Sequence, residues 1–208
     1  LEEFTPEVIT SQEKEARTEL CKLVHRAYDQ KLVNATQGSF SCRMAGNDFL
    51  ITPYNVDRKY LEVEELVSIR DGRREAGKVP SRSIRLHQEI YRKHPEINAV
   101  IIAHPPNIMA YAVTDEELDS KSIPESYILM RDIPKLEFAS FYQKPEETAR
   151  AFNESTPIVI VNNDCVAVTG NSLLNAFDRL EVAEYSAKAL VFAKNLGQMV
   201  AINEDQIA

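Results

Sequence analysis

The sequence predicts an α/β fold: a three-layer α/β/α domain around a central mixed, largely antiparallel sheet. Three observations predict it. Long segments at 11–31 and 172–196 carry apolar residues at helical spacing. Short β-branched runs occur in pairs around turn residues, as hairpins do. Helices and hairpins interleave without strict strand–helix–strand alternation, which points to a mixed sheet with helices on both faces. No internal repeat or low-complexity linker divides the chain, so residues 1–208 are expected to form one domain.

The elements follow in order. Thr10 with Glu13 is a capping-box pattern, and the helix it opens, 11–31, places Leu20, Leu23, Val24, Ala27 and Tyr28 on one face. A small polar loop, 34–39, leads to a strand at 40–44, a turn at 45–48 and a returning strand at 49–52. Residues 61–66 suit a short helical turn before a strand at 67–70, closed by Asp71-Gly72. Ser81 or Ser83 is placed to cap a helix running to His94, with Ile84, His87, Ile90 and Tyr91 on one face. The apolar run AVIIA at 99–103 reads as a buried strand. It ends at His104, and Pro105 and Pro106 turn the chain into a helix at 108–113. Residues 123–138 read as two strand pieces broken by Pro134, and Pro145 starts a helix through Phe152. Strands at 158–162 and 166–169 pair around Asn163-Asp164. The last long helix is capped by Ser172 and closed by Gly197.

Hydrophobic content of 44% with 27% charged residues fits a globular chain. A net charge of −8 with no basic stripe excludes a nucleic-acid partner. No run approaches a membrane span. Three cysteines without CxxC spacing suit a reducing, cytoplasmic compartment. There is no GxGxxG and no phosphate-binding Walker loop. The chain begins at Leu1 rather than Met, as expected either of a trimmed chain or of a piece of a longer protein.

The chain resembles the class II aldolase/adducin family from Thr10 to Gly197. The carriers are TQGSFSCR at 36–43, LITPY at 50–54, GKVPSRSIRLH at 77–87, YRKHPEINAVIIAH at 91–104 and VIVNNDCVAV at 159–168, in that order. The resemblance implies an aldolase-like fold, a sugar-phosphate substrate and a homo-oligomer, in that family often a tetramer. It also implies zinc held by three histidines: two from an HxH pair ending the strand at 99–104, and one from the hairpin at 159–168. A glutamate in the segment 81–87 would serve as acid/base.

This sequence departs from that pattern. Of the HxH pair only His104 remains, with Ile102 in the other place. The hairpin position holds Asp164, or Asn163 in a register shifted by one, and the glutamate position holds Ser83. One imidazole and one carboxylate fall short of the three ligands a catalytic zinc needs. No cofactor is therefore expected, zinc entering only if the site is rebuilt from other residues. His87 reads as structural, and His25 and His94 as solvated.

Two functions stay open. One is a domain without aldolase chemistry, serving as a ligand-binding or interaction module. The other is a carbon–carbon lyase or epimerase using His104, Asp164 and Tyr127 for proton transfer. In either, Gly38, Ser39, Thr52, Ser81 and Arg82 stand where the family cradles phosphate, with Asn55 in place of a glycine. Hydroxyls and amides at a helix start, with an arginine, suit an anionic small molecule such as a sugar phosphate. The alternative for Ser81 and Ser83 is that they only cap a helix.

Overall fold

A computed structural model describes residues 1–207. One nine-stranded sheet organises the chain. Its strands are β1 (Glu3–Phe4), β2 (Ser39–Arg43), β3 (Phe49–Ile51), β4 (Val67–Arg70), β5 (Arg73–Glu75), β6 (Ala99–Ala103), β7 (Lys135–Leu136), β8 (Ile158–Val161) and β9 (Cys165–Gly170), in the spatial order β1-β5-β4-β3-β2-β6-β9-β8-β7. Every internal pairing is antiparallel; only the edge pairs β1–β5 and β7–β8 are parallel. The mixed, largely antiparallel three-layer expectation is met.

Helices cover both faces. Helix α1 (Ser11–Asp29), α3 (Pro106–Ala112), α4 (Pro124–Met130) and α7 (Leu173–Leu196) bury residues in one core, with Ala99, Ile101 and Ala103 of β6. Helix α2 (Ile84–Lys93), α5 (Ser140–Gln143) and α6 (Pro145–Arg150) form the other, with Val100 and Ile102 of the same strand. A short helix, α8 (Glu204–Ile207), ends the described chain. Because β6 is covered on both sides, its sequence is an unbroken apolar run with no polar alternation. Among the described residues no helix is long and apolar enough to cross a membrane. Cys21, Cys42 and Cys165 are free and buried.

Half of the capping box at Thr10 forms: its hydroxyl accepts from the Glu13 amide at 3.1 Å. The Glu13 carboxylate does not return to the cap but turns to Arg17, 2.9 Å away. Ser172 caps α7 through the Asn175 amide. Neither Ser81 nor Ser83 caps α2 with its side chain: Ser83 holds the N-cap position, yet its hydroxyl goes to Ser39.

The two strand pieces expected at 123–138 are not what forms. Residues 124–130 are helix α4, and only Lys135–Leu136 pair as strand. Pro124 stands at the first helical position, where its missing N–H costs nothing. Ser126 and Met130, four apart, supply the buried face, and the Ser126 hydroxyl lies 2.6 Å from that of Ser186 on α7. The apolar and aromatic content of this stretch masked its helical period. His25 and His94 are half-buried rather than solvated; each ring bonds a backbone carbonyl, that of Leu61 and of Ala149.

A buried ion cluster fixes α1 to the sheet edge. Arg17, 4% exposed, reaches Glu13, Glu75 at 3.2 Å and the carbonyls of Val63 and Leu66. Arg70 pairs with Glu13 and Lys78 with Glu75, each at 2.9 Å. Burial alone would raise the Glu75 carboxyl pKa. Hydrogen bonds from Lys78 and the Ser68 amide, with the charges of Lys78 and Arg17, overcome that and hold it low. Removing one member of such a cluster leaves buried charge uncompensated. Arg17→Met is expected to lower unfolding free energy in urea by about 3 kcal/mol, the low end for a buried pair because Arg70 and Lys78 remain. A loss under about 1 kcal/mol would class the cluster with surface pairs.

Candidate functional site

At the end of β6 the sheet opens into a cleft of about 100 Å³. Four segments meet there: the loop before β2, the loop after β3, the start of α2 and helix α5. Gly38, Ser39, Ser81, Arg82, Ser83, Ile102 and His104 all line it. Sequence-distant candidates are thus brought together by strand order: β2 lies between β3 and β6, so their neighbouring ends share one mouth.

Gly38 is required where it stands. Its φ is +94°, and a Cβ there would meet Val33 Cγ1 at 2.6 Å. Thr52 is fully buried and does not line the cleft. Its hydroxyl accepts from the Phe40 amide at 3.2 Å and lies 2.9 Å from Ser81 Oγ, so it braces the wall. Arg82 is exposed at the rim, 5.6 Å from the centre of the Tyr54 ring.

Arg58, at the base of the cleft, was not legible as a site residue. It is 2% exposed. Its guanidinium donates to the carbonyls of Pro53 at 2.9 Å, Val56 at 2.8 Å and Gly38 at 2.8 Å, and to Ser81 Oγ at 3.3 Å. Burial brings its pKa down to about 10, so it keeps its charge at neutral pH. No carboxylate touches it among the described residues.

His104 is half-buried, and its Nδ1 has no hydrogen-bond partner among the described residues. Burial lowers its pKa, and the Asp164 charge pushes partly back; burial raises Asp164, and His104 opposes that. The two feel each other's field, yet no hydrogen bond or ion pair joins them among the described residues. Asp164 sits outside the lining, in the β8–β9 turn. Tyr127 is not brought to the cleft: it is on α4, which packs on α7, with Lys121 and Arg131 over its ring.

The residues present do not fit a zinc ion. Ile102 and Ser83 offer no imidazole or carboxylate. Among the described residues no group of three His, Cys, Asp or Glu side chains stands close enough to hold a metal.

Behind the lining, His87 is fully buried between two strand hydroxyls. Ser39 Oγ lies 2.8 Å from its Nε2, and Ser41 Oγ 2.6 Å from its Nδ1. Ser83 donates to Ser39 at 2.6 Å, and Ser41 Oγ is 2.7 Å from the Tyr91 hydroxyl. The structural role read for His87 is therefore specific: it pins α2 to β2. The alternation of Ser39 and Ser41 on one strand face, opposite His87 and Tyr91 one helical turn apart, was the available signal.

The chain matches the class II aldolase and adducin N-terminal domain family over residues 18–191. It is 28% identical over 175 residues to the L-fuculose phosphate aldolase of Methanococcus vannielii, covering 82% of this chain and 92% of that protein. It is 26% identical over 211 residues to the 3-oxo-tetronate 4-phosphate decarboxylase of Pectobacterium atrosepticum, covering 97% and 95%. Among solved structures, YgbL of Escherichia coli superposes with a TM-score of 0.83 at 20% identity, over 94% of this chain and 97% of that one.

Burial brings the His87 pKa down to about 3, from an ordinary value of 6.5. With the folded value below the unfolded one, unfolding takes up a proton between these limits. Its contribution to stability is complete above pH 6.5 and declines as pH falls toward 3, by up to about 1.4 kcal/mol per unit. Urea denaturation at successive pH values should show that decline, and His87→Gln should flatten it. An unchanged slope in His87→Gln would place the proton uptake elsewhere.

Proposed function

Because the chain belongs to the class II aldolase and adducin N-terminal domain family, we propose that its cleft binds a phosphorylated sugar or a similar small anion, without zinc-dependent aldolase chemistry. One observation carries this reading. The protein has 32 acidic residues against 24 Lys and Arg, yet the cleft lining holds Arg58, Arg82 and His104 and no Asp or Glu. A buried guanidinium with only neutral contacts is stabilised by an incoming anion, and charge-assisted bonds to phosphate are among the stronger ones.

Ser39, Ser81 and Ser83 add hydroxyls at the same place, and Tyr54 and Tyr142 add apolar surface at the mouth. The relatives' names point the same way, since their substrates are phosphorylated. The free thiols suit a reducing, cytoplasmic setting. Ile102 and Ser83 stand at two of the positions that would have to hold a metal.

A second reading is favoured by the unpartnered His104 Nδ1. In a lyase or epimerase with a modified site, His104, kept neutral by burial, would accept a proton from the bound sugar phosphate. Asp164 would act on it through the field alone.

Calorimetric titration with inorganic phosphate, a ketose phosphate and the matching unphosphorylated sugar tests the first reading. The phosphorylated compounds are expected to bind and the free sugar not. Arg58→Met should weaken phosphate binding by at least about tenfold, the worth of one hydrogen bond to a charged group. Arg82→Ala, at the exposed rim, should weaken it by up to about fivefold. Equal binding by all three proteins, or none by the wild type, would overturn the reading. One zinc per chain in the purified protein, lost in His104→Ala, would overturn the exclusion of aldolase chemistry.

A further inference from the structure

We propose that the Ser39 hydroxyl is a committed hydrogen-bond donor into the cleft, its direction imposed from the interior by Tyr91 and Ser41 through His87. The inference rests on the anion reading and names the positioning residues behind it.

Tyr91 is fully buried, and its hydroxyl hydrogen has one acceptor in reach, Ser41 Oγ at 2.7 Å. Ser41, also fully buried, must then place its own hydrogen, and its other neighbour is His87 Nδ1 at 2.6 Å. A neutral imidazole carries one ring hydrogen. With Nδ1 accepting, that hydrogen sits on Nε2 and donates to Ser39 Oγ at 2.8 Å. Ser83 donates to the same oxygen at 2.6 Å. Both lone pairs of Ser39 are then engaged, and its hydrogen has the cleft as its outlet.

The reverse arrangement fails on the same count. If Nδ1 carried the hydrogen, it would donate to Ser41. Either the Tyr91 or the Ser41 hydrogen would then be buried without an acceptor, which native interiors avoid. Burial keeps His87 uncharged, so a doubly protonated ring does not rescue that arrangement at neutral pH. Four groups on β2 and α2 thus set the polarity of one cleft-lining hydroxyl. The ligand atom beside Ser39 must be an acceptor: an oxyanion fits, and a hydroxyl or amine pointing its hydrogen there does not.

Nitrogen-15 NMR of histidine-labelled, ligand-free protein reads the His87 tautomer directly. The Nε2–H form is expected; the Nδ1–H form would overturn the proposal. Ser41→Ala removes the acceptor and donor that bias the ring while leaving the cleft lining intact. That variant should show a mixture of tautomers and bind inorganic phosphate two- to fivefold more weakly, whereas Ser39→Ala should lose about tenfold. An unchanged tautomer with unchanged phosphate affinity in Ser41→Ala would reduce His87 and Ser41 to packing, whatever the loss in stability, and overturn the proposal. Nε2–H in a wild type that binds no phosphate would uphold the hydrogen direction and overturn the anion reading alone.

Discussion

The cleft depends on one constraint: a buried guanidinium held by neutral oxygens from three stretches of chain. Arg58 draws the Gly38 carbonyl, the Pro53 and Val56 carbonyls and the Ser81 hydroxyl around a single charge. Carbonyl dipoles partly replace the water a buried cation loses. They also fix the loops that carry them, since each carbonyl must keep its aim. The loop before β2, the loop after β3 and the entry to α2 are thereby held in one arrangement, and that arrangement is the cleft. Its lining carries two arginines and no carboxylate in a chain whose net charge is −8.

A second set of buried polar contacts supports the first from behind. Ser39 and Ser41 alternate on β2 and meet His87 and Tyr91 on α2, so helix and strand are registered by directional bonds as well as by Ile90 and Leu86 packing. Register is the property at stake. A helix sliding by a fraction of a turn would separate Ser83 from Ser39 and break the link between the cleft and the interior.

Much of this was legible in the sequence, for reasons that differ between residues. The strand at 99–103 was readable because burial on both faces makes it wholly apolar, and His104 because it ends that strand. Gly38, Ser39, Ser81 and Arg82 were readable because the resemblance orders their segments. Arg58 was not: it lies in a polar loop, and what makes it a site residue is four backbone and hydroxyl oxygens that no spacing encodes. Tyr127 lies within 123–138, the stretch read as strand, and is carried by a helix instead. That helix, α4, carries Tyr127 against α7, away from the cleft lining. The capping expected of Ser83 failed because a serine at a helix start has two competing partners, and a strand hydroxyl won.

The edge strands β1 and β7 are each two residues long and pair in parallel with their neighbours. A sheet edge that short presents few free amides and carbonyls, so it is a poor template for a further strand from another chain. The molecule is thus guarded against fibril-like growth at both margins without charged gatekeepers on a long border strand.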